Sequence, residues 1–141
     1  MEKVFFSVSF VLYAVATAFC FVFALLYLLR KEFLPYHSGT INKKWAELDP
    51  LMQTLIRAFL RVTGGGSLVL AVGMVFLLVF PFRAGQEWVL YCMPVMSASL
   101  LLPAVASAYS LHRKAGAKSP WKLLLCLLVM VIAAFVFSLL A

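Results

Sequence analysis

The chain has 141 residues, of which 65% are hydrophobic and only 12% are charged. A soluble domain is roughly 45–50% apolar and about 25% charged, and a chain this short leaves too much surface exposed to hide such an excess in a core. The composition therefore excludes an ordinary soluble domain and predicts an integral membrane protein. The net charge of +7 does not indicate nucleic acid, because the basic residues stand at the ends of apolar segments; membrane lipids are the expected partners.

Four apolar stretches reach the roughly 20 residues that a helix needs to cross a bilayer. They cover residues 4–29, 52–80, 88–111 and 121–141. The first is longer than the apolar region of a signal peptide and is expected to be a retained span. The sequence thus predicts one integral-membrane domain over residues 1–141, an all-α protein built as an antiparallel bundle of four transmembrane helices.

The basic residues predict the orientation of these spans. The loop after the first span and the loop after the third each bring four lysines or arginines, whereas the other side has only Lys3 and Arg83. Basic loops stay on the cytoplasmic side of a membrane. We therefore expect both termini outside, both basic loops inside, and a multi-pass location in the inner (plasma) membrane.

Two residue pairs predict where helices start. Asp49–Pro50 and Ser119–Pro120 each place a capping side chain before a proline, whose missing N–H costs nothing at the first helical position. The second span is therefore expected to run from near Pro50 to about Phe80, where Pro81 follows.

Three consecutive glycines, residues 64–66, lie in the second span. A phosphate-binding loop is excluded, because the preceding strand and the lysine of its motif are both missing. Small residues instead let a second helix approach closely in a membrane. The residues predicted to pack in this way are Gly64, Gly65, Gly66 and Gly73. The predicted contact face is Thr63, Gly66, Leu70 and Gly73, and a local break lining a cavity is the alternative.

Stripes of small and polar residues predict which faces of two other spans turn inward. In the first span the stripe is Ser9, Tyr13, Thr17, Cys20 and Ala24. In the third span it is Ser99, Pro103, Ala106 and Ser110.

Candidate chemistry concentrates in the first inner loop and the start of the second span. Arg57 and Arg61 are four residues apart and share a helix face. The planar fork of arginine suits phosphate or carboxylate, so these two residues and His37 form a predicted site for an anionic ligand or lipid headgroup. The alternatives are simple anchoring of the arginines at the interface and a metal or haem site using His37 and His112. No cofactor or metal is predicted, because two lone histidines lack ligand spacing.

The same loop predicts a short interfacial helix. Ile41, Trp45 and Leu48 stand at positions i, i+4 and i+7, which would place three apolar side chains on one face of a helix lying on the membrane surface.

A set of residues in the middle third of the chain carries a resemblance. These residues are Pro35–Tyr36–His37, Trp45, Leu48–Asp49–Pro50, Gln53, Arg61 and Gly64–Gly66. In them the chain resembles an uncharacterised family of small four-transmembrane-helix proteins of the bacterial inner membrane. The resemblance implies the topology and carries over no reaction, ligand or site residue.

The leading functional hypothesis is a non-enzymatic membrane protein that binds a lipid, a small hydrophobic anion or another membrane subunit, with homo-oligomers as one form of assembly. The first alternative is a homo-oligomeric transporter or channel. The residues expected to flank its path are Tyr13, Thr17 and Ser99. The second alternative is a membrane enzyme acting on a lipidic substrate at the inner face. The residues that would have to meet around its pocket are Tyr36, His37, Arg57 and Arg61.

Overall fold

A computed structural model describes residues 1–116 and 118–141, and within these residues the chain is helical, with no strand. The helices are α1 (Glu2–Leu29), α2 (Pro35–Ile41), α3 (Pro50–Leu77), α4 (Glu87–Ala115) and α5 (Trp121–Leu139). A single 3₁₀ turn covers Trp45–Glu47, and a π-helical turn, Leu78–Phe82, continues α3.

Four of these helices, α1, α3 with its π-helical turn, α4 and α5, are long and apolar enough to cross a membrane. The predicted all-α class with four apolar helices is confirmed. Large apolar side chains cover their outward faces; Val69, for example, is 75% exposed. Such a surface is expected where lipid rather than water is the solvent.

Helix α1 is the central element of the bundle. It packs against α3 on one side and α5 on the other, and α5 packs in turn against α4. The hydroxyl of Ser9 donates to the carbonyl oxygen of Ala134 in α5 at 2.8 Å. The thiol of Cys20 donates to the backbone carbonyl oxygen of Ser67 in α3 at 3.5 Å. The predicted inward stripe of α1 is confirmed by the burial of Ser9, Tyr13, Thr17, Cys20 and Ala24.

Helices α1 and α3 approach each other closely at Gly64. A Cβ atom added there would lie 2.8 Å from Cα of Leu28 and 2.9 Å from the carbonyl oxygen of Ala24, so no side chain fits. The buried face of α3 consists of Leu60, Gly64, Ser67, Ala71 and Met74. This is not the predicted face: the first glycine of the triplet, rather than the third, meets α1.

The inward face predicted for the third span is wrong. Ser99, Pro103, Ala106 and Ser110 are exposed. The buried face of α4 consists instead of Val89, Met93, Ser97, Leu101 and Ala108. Ser99 needs no partner inside the bundle, because its hydroxyl donates to the carbonyl oxygen of Met96 in its own helix at 2.7 Å.

The predicted helix starts have different outcomes. Asp49 caps α3 as expected, since its carboxylate accepts from the backbone N–H of Leu51 at 2.8 Å. Ser119 does not cap α5; its hydroxyl donates to the carbonyl oxygen of Ala108 at 2.6 Å and fastens the start of α5 to α4. The second span runs from Pro50 to Phe82, two residues beyond the predicted end near Phe80, because the wider π-helical turn accommodates Pro81.

The predicted helix over Ile41, Trp45 and Leu48 does not form. Asn42 adopts a left-handed conformation, with φ of 51°, and breaks the chain between α2 and the 3₁₀ turn. The helix in this loop is α2, which lies before the break, and only the turn at Trp45–Glu47 follows it.

The two ends of the bundle differ in packing. At one end the ring of Phe82 stacks on Phe6, with centroids 5.2 Å apart, and meets Tyr13 edge-on at 5.8 Å. The other end carries eight lysines and arginines and is called the basic end here. It is formed by residues 30–49, 112–116 and 118–122. Two sizeable cavities lie at this end.

Candidate functional site

The larger cavity, of about 460 Å³, lies at the basic end between α1, α4 and α5. Its walls are mostly apolar and include Phe23, Leu26, Leu100, Ala104 and Leu123. Pockets that take small molecules commonly measure about 300–1,000 Å³ and have mainly apolar walls with a few polar groups. The cavity therefore has the size and the lining of a ligand site.

A second cavity, of about 330 Å³, lies beside it between α1, α2 and α3. Its apolar lining includes Phe33, Ile56 and Phe59. Three polar residues line both cavities, namely Tyr27, His37 and Thr63. Together with Tyr36, which lines the larger cavity, they are called the polar cluster.

The helix α2 brings Tyr36 and His37 to the cavities. It starts at Pro35, whose fixed φ suits the first helical position. The ring nitrogen Nδ1 of His37 accepts a hydrogen bond from the backbone N–H of Leu34 at 3.3 Å. The backbone N–H of His37 in turn donates to the carbonyl oxygen of Leu34 at 2.8 Å. The His37 side chain thus holds the first turn of α2 in place.

A pair of tyrosine hydroxyls joins α2 to α1. The hydroxyl oxygens of Tyr27 and Tyr36 are 2.5 Å apart, and either can be the donor. Partial burial, reinforced by the contact with Tyr27, raises the pKa of the Tyr36 hydroxyl, while burial lowers the pKa of His37. Both shifts favour the uncharged form of the side chain.

The structure does not place the three predicted anion-site residues around one cavity. His37 lines both cavities, but neither Arg57 nor Arg61 lines either of them. The Arg57 Nε–H donates to the carbonyl oxygen of Lys31 at 3.0 Å, and its guanidinium lies 5.5 Å from the ring centroid of Trp45. Arg61 is exposed. Arg57 thus connects the loop between α1 and α3 to α3 itself.

The four glycines predicted to pack have different surroundings. Gly64 lies against the backbone of α1. A Cβ atom added at Gly73 would lie 3.1 Å from Cε of Met96, and one added at Gly65 or Gly66 would meet nothing within 4 Å. Only Gly64 is therefore held against another helix backbone within one chain.

The two histidines lie in different environments. The ring of His37 packs edge-on to that of Tyr36 at 4.2 Å, whereas His112 packs on Trp121 at 5.8 Å. Within residues 1–116 and 118–141 there is no group of three or more His, Cys, Asp or Glu residues that could hold a metal ion.

The residues expected to flank a transport path do not share a surface within one chain. Tyr13 and Thr17 are buried in the bundle, whereas Ser99 is on the exposed face of α4. The cavity in the middle of the bundle, which Cys20 and Ser97 help to line, measures only about 20 Å³. That is room for about one water molecule.

Tyr27 and Thr63 were not singled out as site residues from the sequence. A signal for Tyr27 is present, because Phe19, Phe23 and Tyr27 follow each other at four-residue spacing along α1 and all three line the larger cavity. The rings of Phe23 and Tyr27 stack at 4.3 Å. An aromatic stripe that ends in a tyrosine near the end of a span is thus the sequence pattern that predicts the α1 wall of the larger cavity.

No family model matches this chain, and neither a curated protein nor a solved structure is significantly similar to it. The resemblance of the middle third to small inner-membrane proteins therefore stays a prediction.

Proposed function

We propose that this is a multi-pass protein of the inner membrane that binds a membrane lipid, without catalysis, in the larger cavity. The observation that carries the proposal is the cavity of about 460 Å³ with apolar walls and a polar cluster at one end. A lipid has the same division, with a long apolar chain and a short polar end.

The basic end is proposed to face the cytoplasm. Eight lysines and arginines lie at that end, against Lys3 and Arg83 at the other, and such an asymmetry sets the orientation of membrane proteins. In this orientation α2 lies at the inner membrane surface, where Tyr36 and Trp45 suit the boundary between headgroups and hydrocarbon.

The depth of the cavity suits a hydrocarbon chain. On α1 the lining residues run from Phe19 to Tyr27, which is roughly 12 Å along a helix. The hydrocarbon core of a bilayer is about 30 Å thick, so the cavity would occupy most of the inner half of the membrane. The polar cluster would then lie at the level of the lipid headgroups.

An enzyme that acts on a lipid is less well supported. That hypothesis needs Tyr36, His37, Arg57 and Arg61 around one pocket, and the two arginines are elsewhere. Binding requires only the cavity and the polar cluster.

The proposal is tested by filling the cavity. Ala104→Phe places a ring in the cavity wall, while Ala106→Phe places the same ring two residues away on the exposed face of α4. The full chain and both variants are extracted gently from membranes and compared by native mass spectrometry. We expect the wild type and Ala106→Phe to retain bound lipid and Ala104→Phe to lose it. Equal retention by all three proteins, with each eluting as a folded species, would overturn the proposal.

A further inference from the structure

We propose that the ligand is an uncharged lipid whose polar end presents carbonyl oxygens to Tyr27, Tyr36 and His37. This inference rests on the lipid-binding function proposed above and names the class of lipid. A quinone ring and the ester groups of a neutral glycerolipid both supply this chemistry.

The two tyrosines leave one hydroxyl hydrogen free. The pair has two O–H groups, and the bond of 2.5 Å between their oxygens uses one of them. Each tyrosine lines the larger cavity, so whichever hydroxyl is the acceptor can direct its own hydrogen to a ligand. The pair therefore supplies one donor to the cavity in either arrangement.

The histidine supplies a second donor. Because Nδ1 of His37 accepts from the backbone N–H of Leu34, a neutral imidazole carries its hydrogen on Nε2. The ring lines both cavities, and its Nε2–H is the group left for a ligand. The burial that lowers the pKa of His37 keeps the ring in this neutral form.

The lining selects against charge. No charged side chain is found among the described residues that line the larger cavity, and the remaining polar groups are the hydroxyls of Thr63 and Ser107. Burying an ion without a counter-charge is costly, and neither Arg57 nor Arg61, which could neutralise a phosphate, lines the cavity. Two uncharged donors beside an apolar cavity fit carbonyl oxygens, which accept hydrogen bonds and bring no charge.

The test compares two lipids that carry the same acyl chains but differ in charge, and adds a quinone as the second source of carbonyl oxygens. Dioctanoylglycerol, dioctanoyl phosphatidate and a decyl-substituted benzoquinone are each titrated into the purified full-length protein in a neutral detergent. Occupancy is read by native mass spectrometry. We expect dioctanoylglycerol or the quinone to bind at least about tenfold more tightly than the phosphatidate, since the buried phosphate would lack a partner. Which of the two binds identifies the source of the carbonyl groups.

Variants then test the donors. The double variant Tyr27→Phe/Tyr36→Phe and the single variant His37→Asn should each weaken binding about three- to tenfold, the effect of one lost hydrogen bond. His37→Gln should bind more tightly than His37→Asn, because its amide N–H can replace Nε2–H. The matched control is Tyr91→Phe/Tyr109→Phe, two exposed tyrosines of α4 that do not line the cavity.

The outcomes separate this inference from the lipid-binding function. Tighter binding of the phosphatidate, or unchanged binding by the tyrosine and histidine variants, overturns the inference about the polar end. If Ala104→Phe still abolishes binding in those cases, the lipid-binding function stands. If Ala104→Phe also leaves binding unchanged, both fail.

Discussion

Gly64 constrains how α1 packs against α3. The atoms that a Cβ would meet there belong to the backbone of α1, at Ala24 and Leu28, so they cannot turn aside as a flexible side chain can. The neighbouring Gly65 and Gly66 face open space within one chain. The three glycines therefore form an internal comparison, because they differ in surroundings but share a helix and a sequence context.

We predict that Gly64→Ala destabilises the protein. Overpacking costs about 1–3 kcal/mol, and the higher helix propensity of alanine returns up to about 1 kcal/mol. Gly65→Ala and Gly66→Ala gain propensity without a clash and should be neutral or slightly stabilising. Unfolding in mixed micelles with increasing denaturing detergent measures the difference. A Gly64→Ala variant as stable as the other two would contradict the close approach of α1 and α3.

The serines of α1 and α4 show that the same sequence pattern can mark either a buried or a lipid-facing surface. The stripe on α1 was predicted correctly because polar and small residues there coincide with the buried face. On α4 the same pattern failed, because a serine can satisfy its hydroxyl on its own helix, as Ser99 does, and so can face lipid. Composition alone does not distinguish these two uses of serine.

The position of α2 depends on a titratable side chain, that of His37. The helix is held at its start by the hydrogen bond from the Leu34 N–H to Nδ1 of His37 and along its length by the pair Tyr27 and Tyr36. Protonation of His37 would place a hydrogen on Nδ1 facing the Leu34 N–H, and the bond would be lost. The titratable side chains beside this ring are those of Tyr36, which packs edge-on to it, and Tyr27, which lines the same cavity.

We predict that α2 loosens in acid. The pKa of His37 is lowered from 6.5 in the folded protein, so the unfolded form binds the proton more tightly. The stabilising contribution is then complete above pH 6.5 and decreases as the pH falls below that value, towards and through the folded pKa. Hydrogen exchange of residues 34–41, corrected for the intrinsic rate, should increase relative to α1 as the pH falls. His37→Gln should show no such change. A wild type with pH-independent protection would argue against the role of His37.

The pKa of Tyr36 limits the stability of α2 at high pH rather than at low pH. It is raised above 10.0, so its contribution is complete below pH 10.0 and is lost only at higher pH. Between these two limits α2 is expected to keep its place over the cavities.

How well the elements could be predicted depends on the kind of signal. Long apolar runs specify the four spanning helices, because the requirement for about 20 apolar residues leaves few alternatives. The residues that cap these helices are predicted less well by the sequence. Asp49 caps α3 as predicted, whereas the Ser119 hydroxyl bonds to α4 instead of capping α5. The short helix in the first loop was predicted at Ile41 to Leu48 and forms at Pro35–Ile41. A helix of seven residues has little intrinsic stability, so tertiary contacts decide where it forms.

For the whole molecule, the separation of charge between the two ends leads to a topology prediction. Alkaline phosphatase fused after Ala141 should be active, since the C-terminus is proposed to lie outside, and the same enzyme fused after Lys118 should be inactive. A fluorescent protein that folds only in the cytoplasm should give the reverse pattern at the same two positions. Activity of the phosphatase at Lys118 would contradict the proposed orientation.

The cavity itself could not be predicted from the sequence. Its polar cluster combines residues of α1, α2 and α3, and Tyr27 meets Tyr36 only because α2 folds back over the end of the bundle after residues 30–34. Hydropathy reports which segments avoid water, but it does not report how far apart the helices stand. The sequence therefore predicted His37 as a site residue but paired it with Arg57 and Arg61, which share its end of the bundle and not its cavity.

Photo-crosslinking tests whether the cavity between α1, α4 and α5 holds the chain of a lipid. A neutral lipid with a diazirine in its chain is incorporated into membranes with the full-length protein, activated by light, and the labelled residues are identified by mass spectrometry. We predict labels on cavity residues such as Phe23, Ser107 and Leu124, and their loss in Ala104→Phe. Labels that are spread evenly over outward residues such as Val95 and Val129, and that Ala104→Phe does not change, would contradict binding of the lipid chain in the cavity.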